Sequence, residues 1–200
     1  GKPLEVKKQI YAQAFVIYGL SEYFKITRDR KVLDQAIALF RIIEEKAFDS
    51  GRNGYIEACS RKWEEIEDLR LSEKDMNEKK SQNTHLHILE AYTNLYSVWP
   101  DSILLAQLKN LIHVFTAHII NTEDFHLTLF FDEEWNPKSP LISYGHDIEC
   151  SWLLYEAALA TKNRDLILST EEMSIRVAMA ADEGYIDAGA LLYENDREGK

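Results

Sequence analysis

The sequence predicts an all-α protein built from repeated helical hairpins. Apolar residues recur at helical spacing in six segments, and short polar turns join these segments in pairs. The paired plan occurs three times, at a period of about 65–70 residues, which is typical of a repeat architecture. Three consecutive hairpins fit either an open solenoid or an α/α toroid that closes on itself with about six hairpins. Both interpretations stay open at this point.

The first hairpin is predicted from apolar periodicity. Segment 10–24 carries Ile10, Phe15 and Tyr18 without strict alternation and without proline, which favours a helix over a strand. Polar residues at 27–29 break the pattern, and a second helix is predicted over 31–47. Serine, glycine and asparagine then end it.

The second and third hairpins repeat this plan. Each has a helix, a short polar turn and a second helix, with the boundaries 83–98, 100–101 and 103–119 for the second hairpin and 142–160, 162–165 and 166–180 for the third. A strand-like excursion follows each hairpin. The first and third are closely alike, GYIEA at 54–58 and GYIDA at 184–188, and the second is the β-prone run 125–131.

A highly charged segment, 61–82, interrupts the repeat. It reads RKWEEIEDLRLSEKDMNEKKSQ and lies between a strand-like excursion and a predicted helix. A solvated surface loop is one interpretation, and a mobile loop bordering a ligand site is the other, because long loops often carry function.

Composition excludes several classes of function. Hydrophobic residues make up 46% and charged residues 28%, so disorder is not expected. The net charge of −11 argues against nucleic acid and membrane partners, because an acidic surface repels phosphates. The two cysteines form no CxxC motif, and the chain has neither a signal-like apolar start nor a bilayer-length apolar run. We therefore expect a cytoplasmic location.

One predicted helix carries a polar stripe. Four side chains at positions i, i+4, i+7 and i+11 share its face: Asn83, His87, Glu90 and Asn94. Such a stripe either faces solvent or lines an internal cavity, as the inner helices of a toroid would require. His85 points to a different face and is predicted to be a packing residue.

A second constellation lies at the start of the fifth helix. His146 and Glu149 are spaced i and i+3, so Glu149 could orient the imidazole and raise its basicity. The alternative is an ordinary helix start in which Asp147 and Glu149 favour the positive end of the helix dipole. The remaining histidines, His113, His118 and His126, show no partner pattern. The sequence contains no phosphate-binding glycine loop and no GxSxG elbow.

Three stretches resemble the cellobiose 2-epimerases, within the wider N-acylglucosamine 2-epimerase family. They are YAQAFVIYGLSEYF at 11–24, LSEKDMNEKKSQNTHLHILEAYTNLYSVWPD at 71–101 and SYGHDIECSWLLYEAA at 143–158. The resemblance implies that the chain, as a single domain 1–200, forms about half of an (α/α)6 barrel. It also implies reversible epimerisation at C2 of the reducing-end glucose of β-1,4-linked disaccharides, through ring opening and an enediolate. Cellobiose would become glucosyl-mannose and lactose would become epilactose, with no metal or organic cofactor.

The resemblance also implies roles for individual residues. The histidine matching His146 belongs to an acid/base pair, and the one matching His87 assists around C1 and the ring oxygen. Four further residues match positions that line the site: Tyr11, Asp75, Asn83 and Glu149. Imidazole suits this chemistry because, with a pKa of about 6.5, it can both accept and return the C2 proton near neutral pH.

One departure from the family concerns length. Family members are about twice as long, and the second acid/base histidine, a sugar-stacking tryptophan and an arginine lie in parts that these 200 residues do not include. The chain therefore looks like the middle of the barrel, and we expect it to be inactive by itself.

Other functions stay open. A mannose or N-acyl-hexosamine 2-epimerase is a close alternative, although the NEKKSQNTHLH run argues against the N-acyl-hexosamine enzyme. A non-enzymatic helical-repeat binding module would not need the histidines. A glycoside hydrolase would need two opposed carboxylates, for which Asp75 and Glu149 are nominal candidates.

Overall fold

Six α-helices dominate the protein, as the sequence predicts. The computed structural model describes residues 6–187 and 189–197. The helices are α1 Ile10–Thr27, α2 Arg30–Lys46, α3 Gln82–Val98, α4 Ser102–Val114, α5 Tyr144–Thr161 and α6 Arg164–Asp182. Most predicted ends lie within a few residues of these bounds. The exception is α4, which ends at Val114 and is followed by a π-helical turn, Phe115–Ile119. In this turn Ile120 N–H donates to the carbonyl of Phe115, five residues earlier.

The helices form two layers. In the inner layer, α1 packs against α3, and α3 packs against α5. The outer layer consists of α2, α4 and α6, each of which packs against the inner helix of its own hairpin. The core lies between the layers, where Ile17, Leu89 and Leu154 are fully buried. The inner helices run in the same direction, because one returning outer helix separates each from the next. Their amino ends therefore meet at one end of the inner layer.

Short strand pairs close this end. Within the described residues the strands are β1 Lys8–Gln9, β2 Ala58–Cys59, β3 Lys80–Ser81, β4 Phe130–Phe131, β5 Leu141–Ile142, β6 Tyr185–Ile186, β7 Ala190–Leu191 and β8 Asn195–Asp196. A strand precedes each inner helix and pairs antiparallel with a strand that follows the same hairpin, as β1–β2, β3–β4 and β5–β8. The strand-like excursions after the first and third hairpins are confirmed by β2 and β6. Residue 188 lies outside the described residues.

The β-prone run 125–131 is largely irregular. Only Phe130–Phe131 belongs to a strand, and Leu127 forms an isolated bridge with Ile120. The Asp147 side chain replaces a strand partner here, because its carboxylate accepts the N–H of Leu127 at 2.9 Å. That N–H would otherwise donate to a neighbouring strand. The strand-like excursion predicted after the second hairpin is therefore present, but its strand is confined to the end of the β-prone run.

Two observations concern the surroundings of the protein. Cys59 and Cys150 are buried free thiols in different hairpins. Among the described residues, no helix combines the length and apolar character needed to cross a bilayer. The cytoplasmic location stays a prediction, since neither observation reports where the protein resides.

Replacing Gly54 by alanine is expected to destabilise the protein by about 2–3 kcal/mol. Gly54 has φ +86°, which alanine adopts at a cost, and an added Cβ would lie 2.8 Å from His85 Nε2 and in contact with the Trp135 ring. Urea unfolding measures the change. Gly19→Ala is the matched control, because Gly19 lies in α1 with nothing within 4 Å of an added Cβ. Equal stability of the two variants would contradict the prediction.

Candidate active site

The three inner helices bring chemically active side chains to one level. Tyr11, Asn83 and His146 lie in the first turns of α1, α3 and α5. One turn deeper on the same helices lie Phe15, His87 and Glu149. Residues at the same distance from the amino ends of parallel neighbouring helices lie beside one another. The polar stripe predicted on α3 therefore lies beside side chains of α1 on one side and of α5 on the other.

His87 lies at the centre of this second level. Its Nδ1 is 3.4 Å from Glu90 Oε2, and the ligand atoms of His87, Glu90 and Glu149 all lie within 4.8 Å of one another. The ring centroid of Phe15 is 4.5 Å from that of the His87 imidazole, and the ring centroid of Tyr11 is 6.1 Å from it. One imidazole and two carboxylates would also suit a divalent transition metal, so a functional assay has to include a chelator.

Glu149 lies in a cluster with His87 and Glu90, although it also lines a surface pocket with His146. Burial raises the pKa of Glu149, which His87 opposes and the charge of Glu90 reinforces. Among the described residues, no hydrogen bond or ion pair joins His146 to Glu149, so the structure does not favour the interpretation in which Glu149 orients the His146 imidazole. The physical reason is depth, because three residues along α5 carry Glu149 nearly one turn inward, to the level of His87.

His146 takes its partner from the residue that precedes α5. Its Nδ1 is 2.8 Å from Ser143 Oγ. Burial lowers the pKa of His146, and the nearby His87 lowers it further, while Asp147 opposes both. His146 is therefore neutral at neutral pH and can accept a proton. The sequence interpretation considered Glu149 and missed Ser143, although a serine before a helix start is a recognisable capping signal.

Two other histidines have structural partners. His85, predicted to be a packing residue, is buried, and its Nε2 accepts the N–H of Tyr55 at 2.8 Å. His126, for which no partner was expected, bonds through Nδ1 to the fully buried carboxylate of Asp147 at 2.7 Å. Asp147 thus fastens the first turn of α5, which carries His146, to the loop before it. The partners are 21 positions apart in the sequence, so no spacing rule predicts the pair.

A cavity of about 180 Å³ opens beside His146 at the amino end of α3. It is lined by three of the predicted site residues and by residues that the sequence interpretation did not include: Asp75, Asn83 and His146, with Glu57, Leu69, Arg70, Leu71, Met76, Ser81, Gln82, Leu129, Phe130, Tyr193 and Glu194. Residues 69–71, 75, 76, 81 and 82 belong to the charged segment 61–82. Of its two interpretations, the structure favours a loop that borders a cavity. Asp75 itself accepts bonds from the N–H and hydroxyl of Ser72.

Glu57 is the clearest residue that the sequence interpretation missed. It is 8% exposed, and its Oε1 accepts the Ser81 hydroxyl at 2.6 Å. Burial raises the pKa of Glu57 to about 7, with a contribution from the charge of Asp75, while the hydrogen bond from the Ser81 hydroxyl opposes the change. A glutamate in the repeated GYIEA excursion was visible, but its burial follows only from the packing of the loop over it.

Glu57 is expected to make stability fall as the pH rises from about 4.5 to about 7. Over this range the folded protein keeps the Glu57 proton, since its pKa is about 7, whereas the unfolded chain has released it near 4.5. The loss is complete above pH 7 and amounts to about 3 kcal/mol. Unfolding at pH 5 and pH 8 measures it. Glu57→Gln is expected to reduce the difference by about that amount, and an unchanged pH dependence in the variant would refute the assignment.

Comparison with known proteins identifies the family of this chain. The model of the N-acylglucosamine 2-epimerase (GlcNAc 2-epimerase) family matches residues 1–200. The chain belongs to the N-acylglucosamine 2-epimerase family. Its curated relatives include the cellobiose 2-epimerase of Bacteroides fragilis, 53% identical over 98% of this chain and 50% of that protein. The cellobiose 2-epimerase of Dictyoglomus turgidum is 40% identical over the same shares. The chain thus spans about half the length of the curated relatives it matches.

Solved structures of this family have the same fold. The cellobiose 2-epimerase of Bacillus thermoamylovorans B4167 superposes with a TM-score of 0.93 at 41% identity, over 100% of this chain and 51% of that one. A D-mannose isomerase, at 17% identity and a TM-score of 0.81, shares the fold alone. The fold class is therefore confirmed: helical hairpins that form about half of an (α/α)6 barrel, with short strand pairs between them. The solenoid alternative is excluded.

Proposed function

We propose that the protein containing this chain is a carbohydrate isomerase that epimerises C2 of the reducing-end glucose of β-1,4-linked disaccharides. Cellobiose and lactose are the proposed substrates. The observation that carries the proposal is the meeting of a neutral His146 with a cavity that also contains Asp75 and Asn83. The named cellobiose 2-epimerases among its relatives support it.

His146 is proposed to transfer the C2 proton. The proton next to the carbonyl of an open-chain aldose is weakly acidic, so its removal needs a base that is neutral near pH 7. The lowered pKa of His146 keeps this imidazole neutral, and Ser143 holds its Nδ1 side. The enediolate that forms needs hydrogen-bond donors at its oxygens. Asn83, which lines the same cavity, offers an amide for this purpose.

His87 is proposed to open the sugar ring. Ring opening moves a proton between O1 and the ring oxygen, and an imidazole held by Glu90 can exchange that proton. Tyr11 and Glu149 flank His87 on the neighbouring helices and are proposed to bind substrate, as are Asp75 and Asn83 in the cavity. No cofactor is part of this proposal.

We also propose that residues 1–200 belong to one domain and are inactive by themselves. Epimerisation requires a second acid/base group that returns the proton to the opposite face of C2. The six histidines of this chain include two in the proposed site, and His87 is assigned to ring opening. The second group is therefore proposed to come from the remaining length that the relatives have.

Three alternatives are kept as outcomes of the test. A mannose or N-acyl-hexosamine 2-epimerase would share the proton-transfer chemistry and differ in substrate. A glycoside hydrolase using Asp75 and Glu149 is disfavoured, because Asp75 lines the cavity with His146 whereas Glu149 is clustered with His87 and Glu90. A non-enzymatic binding module would leave the two histidines without a role.

The experiment is epimerisation of cellobiose in heavy water by the full-length protein, with a chelator present, followed at C2 by NMR. We expect deuterium at C2 together with the mannose-type epimer, and no free glucose. Free glucose would instead indicate a hydrolase, and turnover of mannose alone a monosaccharide enzyme. Absence of exchange with cellobiose, lactose and mannose would leave the binding module as the better interpretation.

A further inference from the structure

We propose that Glu57 and Gln82 form an additional sugar-binding subsite at the amino end of α3, which takes hydroxyl groups of the reducing-end ring. The inference rests on the proposed function and extends it from the residues of the acid/base chemistry to substrate recognition. Both residues line the cavity that contains His146. Neither belongs to the site residues that the sequence predicts.

Glu57 is held in place from several directions. Its carbonyl accepts the N–H of Ile10 at 2.9 Å, and its own N–H donates to the carbonyl of Lys79 at 3.1 Å. Its Oε1 accepts the Ser81 hydroxyl, and Ser81 Oγ in turn accepts the N–H of Thr84 as the cap of α3. The carboxyl is therefore oriented before any ligand arrives, which reduces the entropy lost on binding.

Gln82 provides an unmet hydrogen-bonding group. Its side chain is 3% exposed, and Oε1 has no hydrogen-bond partner among the described residues. Its backbone is fixed, because Gln82 N–H donates to the carbonyl of Leu129 at 3.0 Å. Buried polar atoms are normally paired, so an orphaned amide in a cavity wall indicates a ligand that donates to it.

The rest of the cavity wall matches the chemistry of a sugar. Asp75 and Asn83 add further polar groups near Glu57, whereas Leu129 and Phe130 provide an apolar surface. A pyranose has hydroxyls along its edge and C–H groups on its faces, and it can use both kinds of wall at once.

A purely structural role does not account for the carboxyl of Glu57. A glutamine there would accept the Ser81 hydroxyl just as well and would bury no ionisable group. The carboxyl instead destabilises the fold above neutral pH, because the folded protein must then bury the carboxylate. Groups that cost stability and face a cavity are typical of functional sites.

The test is a double-mutant cycle between protein and substrate. Glu57→Gln and Gln82→Met are assayed in the full-length protein with cellobiose and with analogues lacking one hydroxyl of the reducing-end ring. We expect each variant to raise KM for cellobiose about 10- to 100-fold, with kcat within about threefold. For the analogue that lacks the hydroxyl bound by the replaced side chain, we expect the substitution to raise KM no further. The contact that the substitution removes is already missing from that analogue.

Glu44→Gln is the matched control. Glu44 is a half-buried carboxyl that accepts the hydroxyls of Tyr55 and Tyr92 at 2.7 and 2.6 Å, but it does not line the cavity. It is expected to change stability and leave KM unchanged. An unchanged KM in both Glu57→Gln and Gln82→Met, or losses that add fully with every analogue, would overturn the subsite. If Glu57→Gln does not fold, Gln82→Met decides the question.

Failure of the proposed function can be told apart from failure of the subsite. If the wild-type protein does not epimerise cellobiose, binding of methyl β-glucoside is measured instead by ligand-observed NMR. Binding that weakens at least about tenfold in Gln82→Met but not in Glu44→Gln supports the subsite without any reaction. Equal binding of methyl β-glucoside by the wild type, Gln82→Met and Glu44→Gln would overturn the subsite.

Discussion

Replacing His146 by alanine is expected to reduce deuterium incorporation at C2 of cellobiose about 10⁴-fold, with the fold intact. His146 lies in the first turn of α5, where burial and His87 lower its pKa and Ser143 Oγ bonds its Nδ1. It is thus the group in the cavity that is both neutral and basic at pH 7. Single-turnover exchange in heavy water measures the loss directly, without interference from product release.

The control for His146 is His113→Ala. His113 is an exposed histidine in the last turn of α4, on the outer layer. It is expected to leave exchange unchanged. If His146→Ala retained exchange within about tenfold of the wild type, His146 would not be the group that removes the C2 proton.

Replacing His87 by alanine is expected to reduce epimerisation of cellobiose about 10³-fold. Glu90 holds the imidazole at 3.4 Å and Glu149 lies within the same cluster, so removal of the ring also leaves two carboxylates facing each other. If His87 opens the ring, its loss becomes unimportant for a substrate that is already open. A 5-O-methyl derivative of the reducing-end ring cannot close into a pyranose and provides that substrate.

The two histidines are therefore expected to give different substrate patterns. His87→Ala should recover to within about tenfold of the wild type on the 5-O-methyl derivative, whereas His146→Ala should be slow on both substrates. An equal loss on both substrates for His87→Ala would show that His87 takes part in the proton transfer at C2. Glu149→Gln checks the cluster and is expected to raise KM more than it lowers kcat.

The fold alone does not determine this chemistry. A family 76 glycoside hydrolase from a Bacteroides thetaiotaomicron strain shares the fold at 14% identity and a TM-score of 0.67. A shared arrangement of helices therefore does not by itself assign a reaction, which has to be argued from the side chains. In this chain those side chains include two histidines at adjacent levels, and the proposed function depends on them.

Much of the helical framework was predictable from local signals. Apolar periodicity placed all six helices. It also placed Asn83, His87 and Glu90 on one face, and the structure, in which these side chains are half-buried, favours the interpretation of that face as turned toward other residues. The same i, i+4, i+7 spacing occurs on α1 at Tyr11, Phe15 and Tyr18, and could have been used. Helical spacing is a property of neighbouring residues, so it survives in the sequence alone.

Partners that are distant in the sequence were not predictable. His126 is hydrogen-bonded to Asp147, and Glu57 is hydrogen-bonded to Ser81, 24 positions away in the sequence. No spacing rule predicts either pair. The contact of Glu149 with His87 and Glu90 was not predictable either, because these two residues lie on another helix. Such pairs arise where separate elements pack together.

The sequence by itself determined the helices, the hairpin repeat, the family and the two histidines of the proposed site. The tertiary structure decided which groups meet: Glu149 with His87, Ser143 with His146, and Glu57 with Ser81 and the cavity. It also decided which of these groups are buried and therefore which pKa values change. The reason is physical, because periodicity and capping act over a few residues, whereas burial and electrostatic contact depend on how α1, α3 and α5 lie side by side.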